Sequence, residues 1–592
     1  MKKKTICLFI SLLIVASFAG CRGKNTSEGN RVIFDENDEQ SKSNEETTQS
    51  EEQNEEKNKK ENDETNEKDV EESDKVDESI ASEYLAADIT DVFLNKSDTD
   101  KGIYDYVEVK YSKVFLDEEC AKKYPDLQDT LNEINLKTEK DKSEKLNELN
   151  DKYLEYETLD NVDDIVRYED TNISKVLRAD KNVLSVISND YSFEGGAHGY
   201  YEVYGEAFDV ETGTKLSLLD VITDKENFTL NLKERLMEKY KDSGFVVDLD
   251  EYFSNLSFEG ENELSWSIDY SGLTIYFEPY EIASYADGLL TVRFSFAKDS
   301  DLINDKYENV PKNYITPVTT WTDAYADVNA DGEEEPILLV ATAPDVDDGY
   351  DNWEWKVGDK QITGVTEAYN TDSYLVKKDD KYYAYMFNSI ENDYHLLSIF
   401  DIATGKSFGD EFGFGNYNTH GKGYDYDEDI YTSTVEAFIN PDSFNLDSRL
   451  DVLGTYSGTK NYYIGEDGTP VSDEDLYFVP NMQFMISPIC DINCKIVDKE
   501  GNVIEENAIL PKDSMLRIVR TDGENIADLQ AGDYNIVDED SGTDEYPYWR
   551  TEDPVDLDKG TTYRIEYEIK DYEKLIEGES VLDVFKGIMF AG

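Results

Sequence analysis

Val183-Leu-Ser-Val-Ile-Ser188, Gly195-Gly-Ala-His-Gly199 and Tyr200-Tyr-Glu-Val-Tyr-Gly-Glu-Ala-Phe-Asp209 decide the fold class of this chain. The outer two segments are rich in β-branched and aromatic residues. The glycines between them permit positive φ and close backbone approach, so the stretch predicts two strands joined by a tight loop. Ser174 to Arg178 predicts a strand before them, and Val107 to Phe115 alternates apolar and polar residues like a half-buried strand. Tyr124-Pro125 opens a helical composition through about Tyr156, with Leu131, Ile134, Leu146, Leu149 and Tyr153 as its apolar positions. Glu226 to Tyr240 predicts an amphipathic helix carrying Phe228, Leu230, Leu232, Leu236 and Met237, and strands follow at Leu273–Phe277 and Leu290–Phe296. Residues 81–310 therefore predict an α+β module, an antiparallel sheet with helices.

Beyond about residue 311 the composition shifts to Tyr, Asp and Gly, with strand following strand. Tyr374-Leu-Val, Tyr382 to Phe387 and Leu396 to Phe400 predict a meander, propeller-like or an irregular sheet, over 311–482. Cys494 to Val497, Gly501 to Ile504, Met515 to Val519, Ile526 to Leu529 and Tyr563 to Tyr567 predict a small β barrel or sandwich over 483–592. Tyr546, Tyr548, Trp549 and Tyr563 are the candidates for any aromatic ligand face there, although strand-spaced aromatics more often serve core packing. Cys490 and Cys494 flank three residues, a spacing open to a local bridge or to two free thiols.

The N-terminus carries an export pattern. Lys2, Lys3 and Lys4 precede an apolar run from Ile6 to Ala16, which is too short to span a bilayer. Phe18-Ala-Gly-Cys21 resembles the lipobox of bacterial lipoproteins, which implies a signal peptide over 1–21, an acylated and palmitate-bearing Cys21 and a lipid anchor; an ordinary secretory signal containing Cys21 is the alternative. The expected location is the outer face of the cytoplasmic membrane of a Gram-positive bacterium. Asp35 to Ile80 holds 20 acidic and 6 basic residues, so 22–80 reads as a disordered acidic tether. The whole chain carries 133 acidic against 57 basic residues, a net charge of −76, which excludes nucleic acid as a partner by like-charge repulsion.

Val183 to Ile187, Gly195 to Gly199, Phe208 to Leu216, and Phe277-Glu-Pro-Tyr-Glu-Ile-Ala283 with Gly288 together resemble the extracytoplasmic module of the lysozyme-sensing anti-sigma factor RsiV, also found beside the catalytic domain of the peptidoglycan deacetylase PdaC. The resemblance covers roughly 85–300 and implies a cell-envelope binding module whose partner is lysozyme or another cationic protein, or peptidoglycan. An acidic surface would steer a cationic partner. The deacetylase's metal-ligand histidines are not recognisable here, and no Ser-His-Asp or Cys-His spacing marks a catalytic centre. Tyr191, His198 and Tyr200, which flank the glycine-rich loop, are the candidate ligand-binding residues; a histidine that satisfies loop backbone is the structural alternative for His198. A hydrolase using scattered carboxylates is the alternative function.

Asp327-Val-Asn329-Ala-Asp331-Gly332-Glu333-Glu-Glu335 matches the start of a calcium loop, in which oxygen ligands alternate around a hard cation. Leu338 stands where an EF-hand needs a bidentate Glu, so the loop is not an EF-hand. Asp327, Asn329, Asp331, Glu333 and Glu335 are the candidate Ca2+ ligands, against an acidic turn that uses the same chemistry without metal. A calcium-stiffened structural ectodomain is a further alternative. Asp345, Asp347 and Asp348 read as a solvated loop.

Overall fold

Alternation and glycine placement produce the central sheet. In a computed structural model, Ala87–Asp98 (β1), Ile103–Leu116 (β2), Tyr168–Ala179 (β3), Val183–Phe193 (β4) and Tyr200–Asp209 (β5) are neighbours in that order. The structure describes residues 83–98, 103–156, 166–260, 263–342, 351–358, 360–363, 368–390, 395–408, 414–417, 419–425, 430–480, 484–538, 549–551, 553–570 and 573–590. The signal peptide, Cys21, the acidic tether, Asp345, Asp347, Asp348, Tyr546 and Tyr548 lie outside them.

The β3–β4 and β4–β5 pairs are antiparallel, as the opening stretch predicts. The β2–β3 pair instead runs parallel, Val107 opposite Tyr168, because the helices Glu118–Lys123 (α1) and Pro125–Tyr156 (α2) carry the chain back across the sheet. Leu127, Leu131, Leu149 and Tyr153 of α2 are buried at helical spacing. Between them the buried Asn135 side chain clasps the β2 backbone, its amide donating to Val114 O at 2.8 Å and its oxygen accepting from Val114 N at 3.1 Å.

The second layer is built on Leu218–Val221 (α3), Lys225–Lys239 (α4) and Leu249–Ser254 (α5), packed on the antiparallel strands Ser265–Ile268 (β6), Gly272–Phe277 (β7) and Leu290–Ser295 (β8). Asp224 caps α4 by accepting from Asn227 N at 3.0 Å. Only Phe228, Leu232 and Leu236 form the buried stripe of α4; Leu230 is 68% and Met237 48% exposed, since at 3.6 residues per turn both fall outside the arc those three mark.

Residues 311–592 are β-rich, and among the described residues no sheet closes into a barrel. The meander strands Asn370–Lys378, Lys381–Ser389 and His395–Asp401 pair in succession within a five-stranded sheet, so an irregular sheet stands where a propeller blade was the alternative. The sheets run across both expected boundaries. The hairpin Thr419–Asp425 and Ile430–Glu436 completes the first sheet by pairing with β1, Asp88 opposite Glu436. A ten-stranded open sheet joins Phe444–Asp451 and Thr455–Ile464 to Leu516–Thr521, Ile526–Ala531, Thr561–Glu566, Ile492–Val497 and Val503–Leu510 through Tyr477–Phe478. Among the described residues its end strands stay unpaired with each other, so the sheet is open where a barrel was one of the two expectations. Residues 82–592 form one compact unit. No helix among the described residues is long and apolar enough to cross a membrane. Cys120, Cys490 and Cys494 are free thiols.

Arg178 and Asp180, both fully buried, lock these layers together: Arg178 Nε donates to Asp180 Oδ2 at 2.7 Å and Nη1 donates to Tyr307 O at 2.7 Å. Removing one member of a buried pair costs about 3–5 kcal/mol, because the remaining charge is left uncompensated. Asp180→Ala should lower the urea-measured unfolding free energy by that amount or more, whereas Asp180→Asn, which keeps an acceptor for the Asn182 and Val183 N–H groups, should cost less.

Candidate functional site

The β4–β5 loop and the segment between β7 and β8 meet at one end of the central sheet. Gly195 (φ +81°) and Gly196 (φ +131°) occupy backbone regions that L side chains rarely adopt. At Gly199 the requirement is space: a Cβ there would lie 2.4 Å from the Tyr191 ring. Across from this loop, Pro279, Ile282 and Ala283 are buried and anchor residues 278–288. This anchoring presents Tyr280 outward, 56% exposed, at a left-handed φ of +73°. The segment is closed by Ser284, whose hydroxyl donates to Asp287 Oδ2 at 2.5 Å, and by Gly288 at φ +71°.

His198 is exposed and stacks on Tyr285, with ring centroids 4.0 Å apart and planes 22° apart. Its Nδ1 lies 2.8 Å from the Gly199 carbonyl, an acceptor only, so Nδ1 carries the proton and Nε2 faces the Tyr280 hydroxyl at 3.4 Å. Tyr285 OH donates to the same carbonyl at 3.0 Å. Tyr280 lies 5.5 Å and Tyr201 6.1 Å from the Tyr285 ring. The structure thus brings His198 together with three tyrosines that sequence reasoning did not assign to a site. Tyr191 supports the loop from beneath Gly199 and is half-buried.

Tyr200 belongs to an acidic neighbour of this aromatic group. Adjacent strand residues point to opposite faces, so Tyr200 and Tyr201 part company. Tyr200, 41% exposed, donates its hydroxyl proton to Glu278 Oε2 at 2.7 Å. Glu281 accepts from the Glu278 backbone N–H at 2.9 Å and from the Tyr252 hydroxyl. Glu202 lies opposite Asp190 in the β4–β5 ladder and hydrogen-bonds the Glu278 carboxyl. Burial, then the bond to Glu202, pushes the Glu278 carboxyl up from 4.5 to about 8. Burial raises the Asp190 carboxyl, while Lys142 of α2, 3.2 Å away, acts in the opposite direction.

The Asp327–Glu335 loop lies elsewhere, between strands Ala324–Ala326 and Glu335–Thr342. Its carboxylates bind the loop itself: Asp327 accepts from Asp331 N at 3.0 Å and Gly332 N at 2.9 Å, and Asp331 accepts from Glu333 N at 2.9 Å. Asn329 donates its amide to Glu335, and Glu333 pairs with Lys298. Among the described residues no three His, Cys, Asp or Glu side chains are arranged to hold a metal ion. Asp327, Asn329 and Asp331 supply oxygens of the right chemistry for a hard cation, while Glu333 and Glu335 would have to leave their present partners.

Residues 220–297 match the family model described as a protein of unknown function, DUF3298. That span contains α4, α5, β6 to β8 and the Tyr280 segment. Two solved structures are similar. One is a DUF3298 family member from Bacteroides fragilis NCTC 9343, with 20% identity over 38% of this chain and 96% of that one and a TM-score of 0.29. The other is a DUF3298 family protein from Pseudomonas aeruginosa PAO1, with 14% identity over 39% of this chain and 97% of that one and a TM-score of 0.23. No curated protein matches the chain.

Glu278 makes the site pH-sensitive. A carboxyl whose folded value is raised stabilises the fold fully below its unfolded value, and that contribution is lost as pH rises through about 8. The midpoint temperature should therefore fall between about pH 5 and about pH 8 more steeply in the native chain than in Glu278→Gln.

Proposed function

We propose that this chain is a non-enzymatic binding protein of the bacterial cell envelope that recognises a cationic protein such as lysozyme. The observation that carries the reading is the cluster of exposed His198 and Tyr280 with half-buried Tyr285, beside the carboxyls of Glu202, Glu278 and Glu281. Aromatic faces attract ammonium and guanidinium groups, and neighbouring carboxylates add charge-assisted hydrogen bonds. Peptidoglycan is the second ligand, favoured by the same rings, since aromatic faces also pack against the apolar faces of sugars. The hydrolase alternative is weaker. Paired glycosidase carboxyls stand about 5–9.5 Å apart around the scissile bond, whereas Glu202 and Glu278 hydrogen-bond each other.

The anchor belongs to the same reading: an acylated Cys21 holds the protein to the outer face of the cytoplasmic membrane, and the acidic 22–80 tether spaces it from the lipid. Mass spectrometry of membrane-extracted protein should find a diacylated cysteine at the mature N-terminus, and Cys21→Ala should release the chain from the membrane. Calcium at Asp327, Asn329 and Asp331 would stiffen the loop beside Lys298. Added calcium should then raise the midpoint temperature of the native chain and leave Asp327→Ala unchanged; equal responses would remove calcium from the reading.

Lysozyme should bind saturably at physiological salt. Tyr280→Ala should weaken it about tenfold or more while leaving thermal unfolding within about 0.5 kcal/mol of native, because Tyr280 is exposed. A seated cation favours the ionised Glu278, so binding should release protons at neutral pH and strengthen as pH rises toward 8. Binding that disappears at physiological salt would reduce the attraction to net charge alone and sink the proposal.

A further inference from the structure

The face of the central sheet turned away from α2 carries one row of side chains across its strands. Register sets the row: Tyr431 of Ile430–Glu436 lies opposite Phe93 of β1, Phe93 opposite Lys110 of β2, Lys110 opposite Thr171 of β3, Thr171 opposite Tyr191 of β4, and Tyr191 opposite Tyr201 of β5. Side chains directly opposite each other share a face, and the residues that alternate with them, Val92, Leu94 and Val109, are buried with Leu149 and Tyr153 of α2. Every member of the row is half-buried. At about 4.8 Å between strands, Tyr431 to Tyr201 spans about 24 Å, the length of a chain-like ligand and not of a small molecule.

Acceptors without donors flank the rings. Asn95, Glu108 and Glu169 lie on the same face, Asn95 opposite Glu108 and Glu108 opposite Glu169. The Asn95 Oδ1 atom is buried and accepts no hydrogen bond, and the same holds for Oδ1 of Asn189, a 5% exposed residue two places from Tyr191 on that face. Burial raises the Glu108 and Glu169 carboxyls, and the charge of Glu169 raises Glu108 further. Lys110, the cation of the row, already faces Asp91 at 3.5 Å and the Phe93 ring at 4.6 Å. Farther along β3 the same face is covered, for Lys175 pairs with Asp372 of the five-stranded sheet at 2.7 Å. The strip therefore borders that second sheet.

An anion would meet Glu108 and Glu169, and a purely apolar chain would leave the amide oxygens unpaired. A lysine-rich peptide would answer the carboxyls, but its ammonium groups stand on flexible stems and offer the rings no flat face. Hydroxyl and amide N–H donors carried on flat, partly apolar rings satisfy the acceptors and the aromatic row together. We propose that this strip binds an extended, uncharged β-linked glycan lying across the strands, its sugar faces on Tyr431 and Tyr191 and its donors on Asn95, Glu108, Glu169 and Asn189. The row approaches the ring cluster of the lysozyme reading, with Tyr201 6.1 Å from Tyr285, yet Tyr431 stands at its far end. The glycan does not rest on that reading, and the two fail separately.

Chitohexaose, the β-1,4-linked hexamer of N-acetylglucosamine, is the probe, titrated calorimetrically into the full chain at physiological salt. Saturable binding is expected, with chitobiose at least about tenfold weaker because it reaches across only part of the row. Tyr431→Ala should weaken the hexamer about tenfold and leave lysozyme binding as it was, while Tyr280→Ala should do the reverse. No saturation by about 10 mM would overturn the proposal, as would chitobiose binding as tightly as the hexamer or hexalysine displacing it at equal concentration. Loss of hexamer binding in Tyr280→Ala but not in Tyr431→Ala would assign the sugar to the His198 cluster and overturn it equally. The length series on the native chain decides the assignment even where Tyr431→Ala fails to fold.

Discussion

The Arg178 guanidinium is the tie on which the module's central sheet depends. It is fully buried and touches three parts of the chain: Asp180 after β3, the Asp269 carbonyl at 3.3 Å beside β6, and the Tyr307 carbonyl at 2.7 Å in the connection leading out of the module. Asp180 in turn accepts from the backbone N–H groups of Asn182 and Val183 at 2.8 and 3.0 Å, which sets the turn into β4. The β3–β4 register follows from that turn, while the β4–β5 register belongs to the glycine-rich loop at the opposite end of β4. Because a one-residue slip would exchange the two faces of a strand, the facing of Tyr191 on β4 depends on a charge pair at the other end of the same hairpin.

The same economy recurs at other seams. Arg293 of β8 reaches Asp269 at 2.8 Å and Glu334 at 3.1 Å, tying the Asp-rich loop to the module. Asp528 is fully buried between Arg520 and Arg564 in the C-terminal sheet, at 2.9 and 2.7 Å. Lys175 of β3 pairs with Asp372 at 2.7 Å, and Lys306 pairs with Asp209. With 57 basic residues against 133 acidic, cations used inside leave the outer surface to carboxylates. Structural use of arginine thus sharpens the acidic character that favours a cationic partner.

Local pattern made much of the module legible. The strand–glycine–strand stretch, the long helix opened at Pro125 and the C-terminal strands are dictated by alternation, caps and turn residues close in sequence, and the structure contains them. The hairpin 419–436 on β1 was not legible, because a pairing more than 300 residues away leaves no local period. Leu230 and Met237 were misplaced because apolar identity was read without the 3.6-residue turn.

At the candidate site, sequence pointed to the loop that carries His198 but to only part of what the structure gathers around it. His198 and Tyr200 stood beside glycines, the strongest local punctuation in the chain, whereas Tyr280 and Tyr285 sit in a segment whose conformation is set by buried Pro279, Ile282 and Ala283. A left-handed tyrosine has no sequence signature, since φ > 0 is ordinarily assigned to Gly or Asn. The strain at Tyr280 persists because the buried residues around it over-determine the backbone, and it holds an exposed ring at a fixed angle to His198 and Tyr285. A ring held in this way loses little freedom when a ligand covers it, which is the property an exposed recognition surface requires.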